Sequence, residues 1–381
     1  MDYRTLGKTN LSVSEIGFGA EWIGKMPDQA IRDMMSYASL QGVNILDCWM
    51  SDPAIRDALG RGLAGVRDKW IIQGHVGSTW QNGQYVRTRN LDQAKPAFED
   101  LLRRLNTDYI DLGMIHYVDE IEDFNAITTG PFMDYMRELK HTNTIGHIGL
   151  STHDVAVAKQ ACMHPEIEMI MFSLNPCFDL APAQTTLDEL YASSRIEGRN
   201  NIDPDRAELY ALAEHTNTGI TVMKAYAGGR LLDAQASPFG VALTPTQCLH
   251  YALTRPGVAS VLVGTESVEQ IAEAIAYTTA SAKERDYASV LAQAPHHAFA
   301  SQCTYCGHCA PCSVQINIAL VNKLYDLASL RPNENTGAQT HYTELTHKAS
   351  ECTRCKACEP RCPFGVAISD RMDEAASFFG C

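Results

Sequence analysis

Eight of the chain's thirteen cysteines fall into two runs, CTYCGHCAPC from Cys303 to Cys312 and CTRCKACEPRCP from Cys352 to Pro363. Each run presents three thiols at C-x2-C-x2-C spacing, which lets a short loop wrap three corners of one iron–sulfur cube, and each then adds a fourth cysteine. In paired runs of this kind the fourth cysteine ligates the other centre. The spacing therefore assigns Cys303, Cys306, Cys309 and Cys362 to one [4Fe-4S] centre, and Cys352, Cys355, Cys358 and Cys312 to a second. The first run departs from the usual pattern, with two residues rather than three before Cys312 and Ser313 where a proline is common. Disulfides and structural zinc are the competing readings. Zinc knuckles use two ligands each, whereas a third cysteine at the same spacing in both runs, with Pro363 after the last, is cluster spacing. The other five cysteines (Cys48, Cys162, Cys177, Cys248, Cys381) show no ligand spacing and read as free thiols. Between the runs, Ile316 to Leu330 and His341 to Ala349 read as helices that hold the two loops back to back.

The elements upstream follow a different rhythm. From residue 15 to about residue 277, short apolar runs alternate with longer amphipathic stretches, the pattern of βα units around a parallel sheet. Eight strands are expected: Glu15 to Ala20, Val43 to Asp47, Trp70 to His75, Tyr109 to His116, His147 to Ser151, Met169 to Leu174, Ile220 to Lys224 and Ser260 to Gly264. Helical spacing is clear in Leu91 to Leu105, where Phe98, Leu101, Leu102 and Leu105 recur on one face. Eight such units predict a (β/α)8 TIM barrel, in the α/β class, with its chemistry at the C-terminal ends of the strands. Before the first strand, TLGKTNLSVSEIG reads as a β-hairpin turning at Lys8 to Asn10, with Leu11 and Val13 on its second arm, that caps the barrel bottom. The long connection Cys177 to Pro204 is a lid candidate. After a helical segment, Ala282 to Ala294, a boundary is placed at Pro295, giving a barrel over 1–295 and a small α-helical domain with two clusters over 296–381.

At 381 residues and 45% hydrophobic content the chain has material for one large and one small domain. No stretch of about 20 apolar residues occurs, and MDYRTLGKTN lacks signal-peptide character, so a cytoplasmic protein without membrane contact is expected. Cysteine-rich composition in that setting suits an anaerobic or reducing cytosol. A formal net charge of −14 argues against nucleic acid as a partner.

Several segments, LGKTNLSVSEIGFGA, NILDCWMSDPAIRDALG, LNTDYIDLGMIHYVD, IGHIGLSTH and VLVGTESVEQIAEA, together resemble the aldo/keto reductase family from about Tyr3 to Tyr277. With the two cysteine runs, the whole chain resembles the subgroup carrying a ferredoxin-like dicluster tail. The resemblance implies a TIM barrel that reduces carbonyls with NADPH, using an Asp, a Tyr, a Lys and a His at strand ends. Asp47 matches the Asp and His116 the His. Asp52 stands where the Tyr is expected, and His75 where the Lys is expected, so the family's usual proton delivery is not reproduced residue for residue. Ser151 matches a nicotinamide contact, Thr152 replaces the Asn after it, and Ser173 stands at an amide position. Gly264 and Glu273 fit the adenosine segment. Thr265-Glu266 brings no cation for a 2′-phosphate and Ala274 replaces an Asn, which leaves NADPH, NAD or no nicotinamide open.

The polar residues at the strand ends are Asp47, His75, His116, His153 and Lys224. Asp47, His75, His116 and Lys224 are the catalytic candidates, with His75 and His116 as the proton-handling pair and Asp47 fixing the His75 tautomer. Three histidines there also raise a metal, without an HxH or ExxH pattern to support it. Tyr85, Arg87 and Arg89, read as a loop after the third strand, offer a phenol and an anion clamp. The resulting expectation is an oxidoreductase whose barrel binds a small organic substrate and whose two clusters relay single electrons, with ferredoxin or flavodoxin as a candidate donor. Its rivals are an NAD(P)H-dependent carbonyl reductase with structural clusters, a non-redox lyase or isomerase using His and Asp, and an electron carrier whose barrel only docks.

Overall fold

Strands that are buried on both faces read as near-continuous apolar runs, and the eight runs above form a closed barrel. A computed structural model describes residues 1–192, 201–295, 299, 301–329 and 337–380. Twelve strands are defined among them: β1 (Tyr3–Thr5), β2 (Ser12–Ser14), β3 (Ile16–Gly19), β4 (Ile45–Cys48), β5 (Ile71–Val76), β6 (Ser78–Gln81), β7 (Gln84–Arg87), β8 (Ile110–Ile115), β9 (Ile145–Thr152), β10 (Met169–Ser173), β11 (Gly219–Met223) and β12 (Val258–Gly264). The barrel order is β3, β4, β5, β8, β9, β10, β11, β12, closing back on β3, with every neighbouring pair parallel. Strand and helix alternate, which is the TIM-barrel architecture.

The chain's first hairpin plugs the bottom. Leu6 and Val13 are fully buried in a cluster with Leu112, Met114, Met169 and Leu262, all barrel residues. The arms β1 and β2 pair antiparallel, and the link between them is a 3-10 turn, Gly7–Thr9, slightly earlier than the Lys8 to Asn10 expected. Gly7 is required there, because a Cβ would lie 2.1 Å from the backbone nitrogen of Gly219. The helix Leu91–Leu105 starts at the Asn90 cap and buries Ala94, Phe98, Leu101 and Leu105 against the barrel.

Three expectations change. The residues after β5 are a hairpin, β6 and β7, rather than a loop. Asn82 (φ 51°) and Gly83 (φ 77°) form its two-residue turn, so that Trp80 pairs with Tyr85. The segment Ala282 to Ala294 is helical only over Tyr287–Ala292, because the Asp286 side chain accepts from the Ser289 amide and starts the helix there. The helix expected over His341 to Ala349 runs instead over Gly337–Glu344. It stops where the Ala349 amide turns back to donate to the Tyr342 hydroxyl.

The C-terminal helices Ile318–Ser329, Gly337–Glu344 and Ile368–Phe379 share a separate cluster around Val321, Leu324, Tyr342, Val366, Met372 and Ala375. The boundary expected at Pro295 abuts residues 296–298, which lie outside the described set, as do residues 193–200 of the lid candidate. No helix among the described residues is long and apolar enough to cross a membrane.

Candidate active site and paired cysteine cavities

Side chains two apart on a strand point the same way, and in β5 this sends Gln73 and His75 into the barrel together. Asp47 comes from β4 and His116 follows β8, one strand to either side. The three are nearly sealed, at 2%, 2% and 4% exposure for Asp47, His75 and His116. His75 Nε2 lies 2.9 Å from Asp47 Oδ1, and His75 Nδ1 lies 2.8 Å from His116 Nδ1. His116 Nε2 in turn lies 2.7 Å from the hydroxyl of Tyr85. Four side chains from three barrel positions and one hairpin thus form a single line, Asp47–His75–His116–Tyr85. Gln73 Nε2 donates to the same carboxylate oxygen at 3.1 Å.

The hairpin sets the phenol. Ser78 Oγ donates to the Trp49 carbonyl and Ser51 Oγ to that of Thr79, both at 2.7 Å, which clamps β6 to the segment after β4. The Trp49 ring then stacks parallel on His116 at 5.9 Å and meets Tyr85 edge-on at 5.4 Å. Burial pushes the Tyr85 phenol up to about 12, so it is protonated at neutral pH. Burial, and then the neighbouring His75, hold His116 well below the usual imidazole range, so it is neutral.

These residues line one wall of a cavity of about 900 Å³ at the C-terminal ends of the strands. Lys224 and Glu21 line it too. Burial lowers the Lys224 ammonium, partly offset by Glu21, and burial raises the Glu21 carboxyl, partly offset by Lys224. Tyr117, two residues past β8, and Lys224, directly after β11, both hold left-handed backbone (φ 48° and 61°), a strain of about 1–3 kcal/mol each that clusters at the mouth.

The remaining sequence candidates divide. Ser151, Gly264 and Glu273 line the cavity, and the Ser151 hydroxyl accepts from the Tyr117 amide at 2.8 Å. Ser173 is fully buried at the end of β10, is not in the lining, and its hydroxyl has no hydrogen-bond partner among the described residues. Asp52 is spent as a helix cap: its carboxylate accepts from the Ala54 amide at 2.8 Å. The anion clamp is not formed. Arg89 pairs with Asp123, Arg87 lies over the Tyr117 ring, and both donate to the Tyr117 carbonyl, with neither in the cavity wall. His153 bonds Asp119 through Nδ1 at 2.9 Å, away from the His75–His116 pair. Sequence reasoning missed Gln73, Trp49 and Glu21. Gln73 was findable, because it sits two residues before His75 on the same face of β5, and Trp49 follows two residues after Asp47, just past the end of β4.

The eight paired cysteines are all free of disulfides. Cys303, Cys306, Cys309 and Cys362 line one small cavity, together with Pro363. Cys312, Cys352, Cys355 and Cys358 line another, where Ser313 Oγ and Cys355 Sγ are 3.6 Å apart. Among the described residues no group of three or more His, Cys, Asp or Glu side chains is drawn together to hold a metal ion. Cys306 and Cys362 pack against the barrel's hydrophobic core, whereas Cys355 is exposed.

The profile of the Aldo/keto reductase family matches residues 15–242. Among relatives, the uncharacterized oxidoreductase YqkF of Bacillus subtilis (strain 168) is 28% identical over 288 residues, covering 72% of this chain and 90% of that protein. Protein tas of Escherichia coli (strain K12) is 26% identical over 317 residues, covering 71% and 91%. Among solved structures, the aldo-keto reductase AKR11C1 from Bacillus halodurans superposes with a TM-score of 0.58 over 75% of this chain and 94% of that one, at 24% identity. A closed parallel barrel, an Asp and a His at the ends of its second and fourth strands, and a family match over more than half the length lead to one conclusion: the chain belongs to the aldo/keto reductase family.

Proposed function

We propose that this chain is an iron–sulfur-dependent oxidoreductase of the dicluster subgroup of the family, with the division near residue 295 separating a substrate-binding barrel from a ferredoxin-like electron-relay domain. The observation that carries the reading is the sorting of eight free thiols into two quartets, each crossing between the two runs and each lining its own cavity. The thiols fit such a group better than a single ion. Each run supplies three thiols at C-x2-C-x2-C spacing where a zinc knuckle supplies two, and each quartet takes its fourth thiol from the other run. Cys303, Cys306, Cys309 and Cys362 would hold one centre, and Cys312, Cys352, Cys355 and Cys358 the other. Bound [4Fe-4S] groups supply one-electron transfer at potentials of roughly −700 to +450 mV. The first quartet lies against the barrel, and the second, through exposed Cys355, faces the side where a soluble donor such as ferredoxin or flavodoxin would dock.

The barrel residues handle the proton. The Asp47 carboxylate only accepts, so His75 presents Nε2–H to it. In one state the neutral His116 donates Nδ1–H to His75 Nδ1 and accepts the Tyr85 hydroxyl proton on Nε2. The second state holds one more proton. There His75 is an imidazolium beside Asp47, His116 carries its proton on Nε2, and Tyr85 is free to give its own to a substrate oxygen. Reduction of a carbonyl to an alcohol takes two electrons and two protons: the relay gives the proton on oxygen as it passes from the second state to the first, the electrons would arrive singly through the bound centres from the donor, the proton on carbon would come from water, and oxidation of an alcohol reverses each transfer. Anaerobic reconstitution tests the reading: about eight irons per chain are expected, from two four-iron centres. Protein that takes up zinc alone, or four irons, removes it.

A second reading is favoured by Tyr85, which puts a phenol beside His116 although the family's Tyr position holds Asp52. With a nicotinamide as hydride source, the same relay performs carbonyl reduction. Glu266 and Glu273 line the adenosine end of the cavity, and among the described residues no arginine does. NADH is therefore expected to bind at least tenfold more tightly than NADPH in a fluorescence titration. Equal affinity, or a preference for NADPH, contradicts that assignment.

A further inference from the structure

At the opposite end of the barrel from the catalytic cavity, where the bottom loops meet the C-terminal helices, lies a second cavity of about 410 Å³. Its charged lining includes Arg4, Glu208, Glu214, Arg255 and Lys323. Most of these are already matched. Arg4 donates to Glu15 and to the carbonyls of Leu253 and Val258. Glu208 accepts from Lys159 at 2.8 Å, and Glu214 from the Gly257 amide at 2.6 Å.

Two cations remain short of partners. Arg255 is 1% exposed, and only its Nη2 is used, on Thr304 O at 2.5 Å, Thr254 Oγ1 and the Tyr287 hydroxyl. Its guanidinium lies over the Tyr251 and Tyr305 rings, and among the described residues its buried Nε and Nη1 have no hydrogen-bond partner. Lys323, on the helix Ile318–Ser329, makes no hydrogen bond or ion pair with any described residue. Burial lowers its ammonium. Glu214 opposes that shift, and Arg4 and Arg255 add to it. A desolvated guanidinium with idle donors beside an ammonium that Glu214 offsets only in part leaves this wall of the cavity positive, and an anion seated there gains from both.

We propose that this cavity binds a small oxyanion, the phosphate or carboxylate group of a metabolite, between Arg255 and Lys323. The volume falls within the range of roughly 300–1,000 Å³ seen for ligand sites, so the anionic group can carry an organic body. Pocket walls from Ala211, Leu212, Leu324 and Leu327 supply the apolar surface for that body. The site is separate from the catalytic cavity, and through Thr304 and Asn322 it borders the cavity of the first cysteine quartet.

The test uses the full-length protein as isolated, with inorganic phosphate or malonate added at constant ionic strength set by sodium chloride. A saturable rise in melting temperature is expected with at least one of the two. The arm that responds more strongly identifies the oxyanion class. Lys323→Gln, at a position only half-buried, should weaken the apparent affinity tenfold or more while the protein without added anion melts as before. Arg255→Gln should do the same if it folds. No saturable rise in the wild type, or an identical rise in Lys323→Gln, overturns the proposal.

Discussion

Replacing His116 with Gln, or Tyr85 with Phe, is expected to lower turnover by about a hundredfold or more, the usual cost of removing a positioned general acid or base. His116 is the central link of the line, bonded to His75 on one nitrogen and to Tyr85 on the other. Gln keeps hydrogen-bonding capacity and most of the volume but cannot pass a proton between its two ends. Phe at 85 keeps the ring against Trp49 and loses only the hydroxyl. Because the groups act in series, the double variant should be hardly worse than either single one, and this non-additivity distinguishes a relay from two independent contacts. The measurement is turnover on a panel of aldehydes, ketones and their alcohols, with the melting temperature followed in parallel. Near-normal activity in both variants, or a loss that tracks unfolding, would remove the relay from the mechanism.

The second large effect concerns the cysteines. Cys303→Ser and Cys362→Ser should each eliminate one iron–sulfur centre, and Cys312→Ser and Cys355→Ser the other, with about four irons lost in every case. The pairing is counter-intuitive along the chain, since Cys312 is three residues from Cys309 and forty from Cys352. It follows from the cavities, because Cys362 sits with the first run's triplet and Cys312 with the second's. Electron paramagnetic resonance of the reduced variants checks it. Loss of the same signal in Cys303→Ser and Cys312→Ser would mean that the quartets are not crossed. Electron transfer to the barrel should suffer more in Cys303→Ser, whose quartet lies against the barrel core.

Much of this molecule is written in local sequence. The eight barrel strands can be read to within two or three residues at either end, since buried parallel strands must be apolar runs and the helices between them must be amphipathic. The bottom hairpin and the helix Leu91–Leu105 are equally local, being fixed by turn and cap residues that lie beside the elements they end. Asp47, His75 and His116 could be named because adjacent parallel strands end on the same face of a barrel. One local signal was available and went unread: Asn82-Gly83 between two strand-like stretches specifies a two-residue hairpin turn.

What the sequence alone could not decide is which side chains meet across the fold. Tyr85 reaches His116 across 31 residues, because the β6–β7 hairpin is clamped to the segment after β4. The same limitation explains Arg89, which looks like a free anion-binding cation until the fold brings Asp123 within 2.7 Å of it. Asp52 looks like a catalytic replacement because of its position after Asp47, yet the helix beginning at Pro53 uses it as a cap. Spacing determines which residues can share a loop, whereas burial and partners depend on packing between segments far apart in the chain. Arg255 illustrates this most fully. Nothing around it in the sequence marks it as special, and only the fold packs it against Tyr287, Thr304 and Tyr305, ties one of its nitrogens to Thr304 and leaves two others without a hydrogen-bond partner among the described residues.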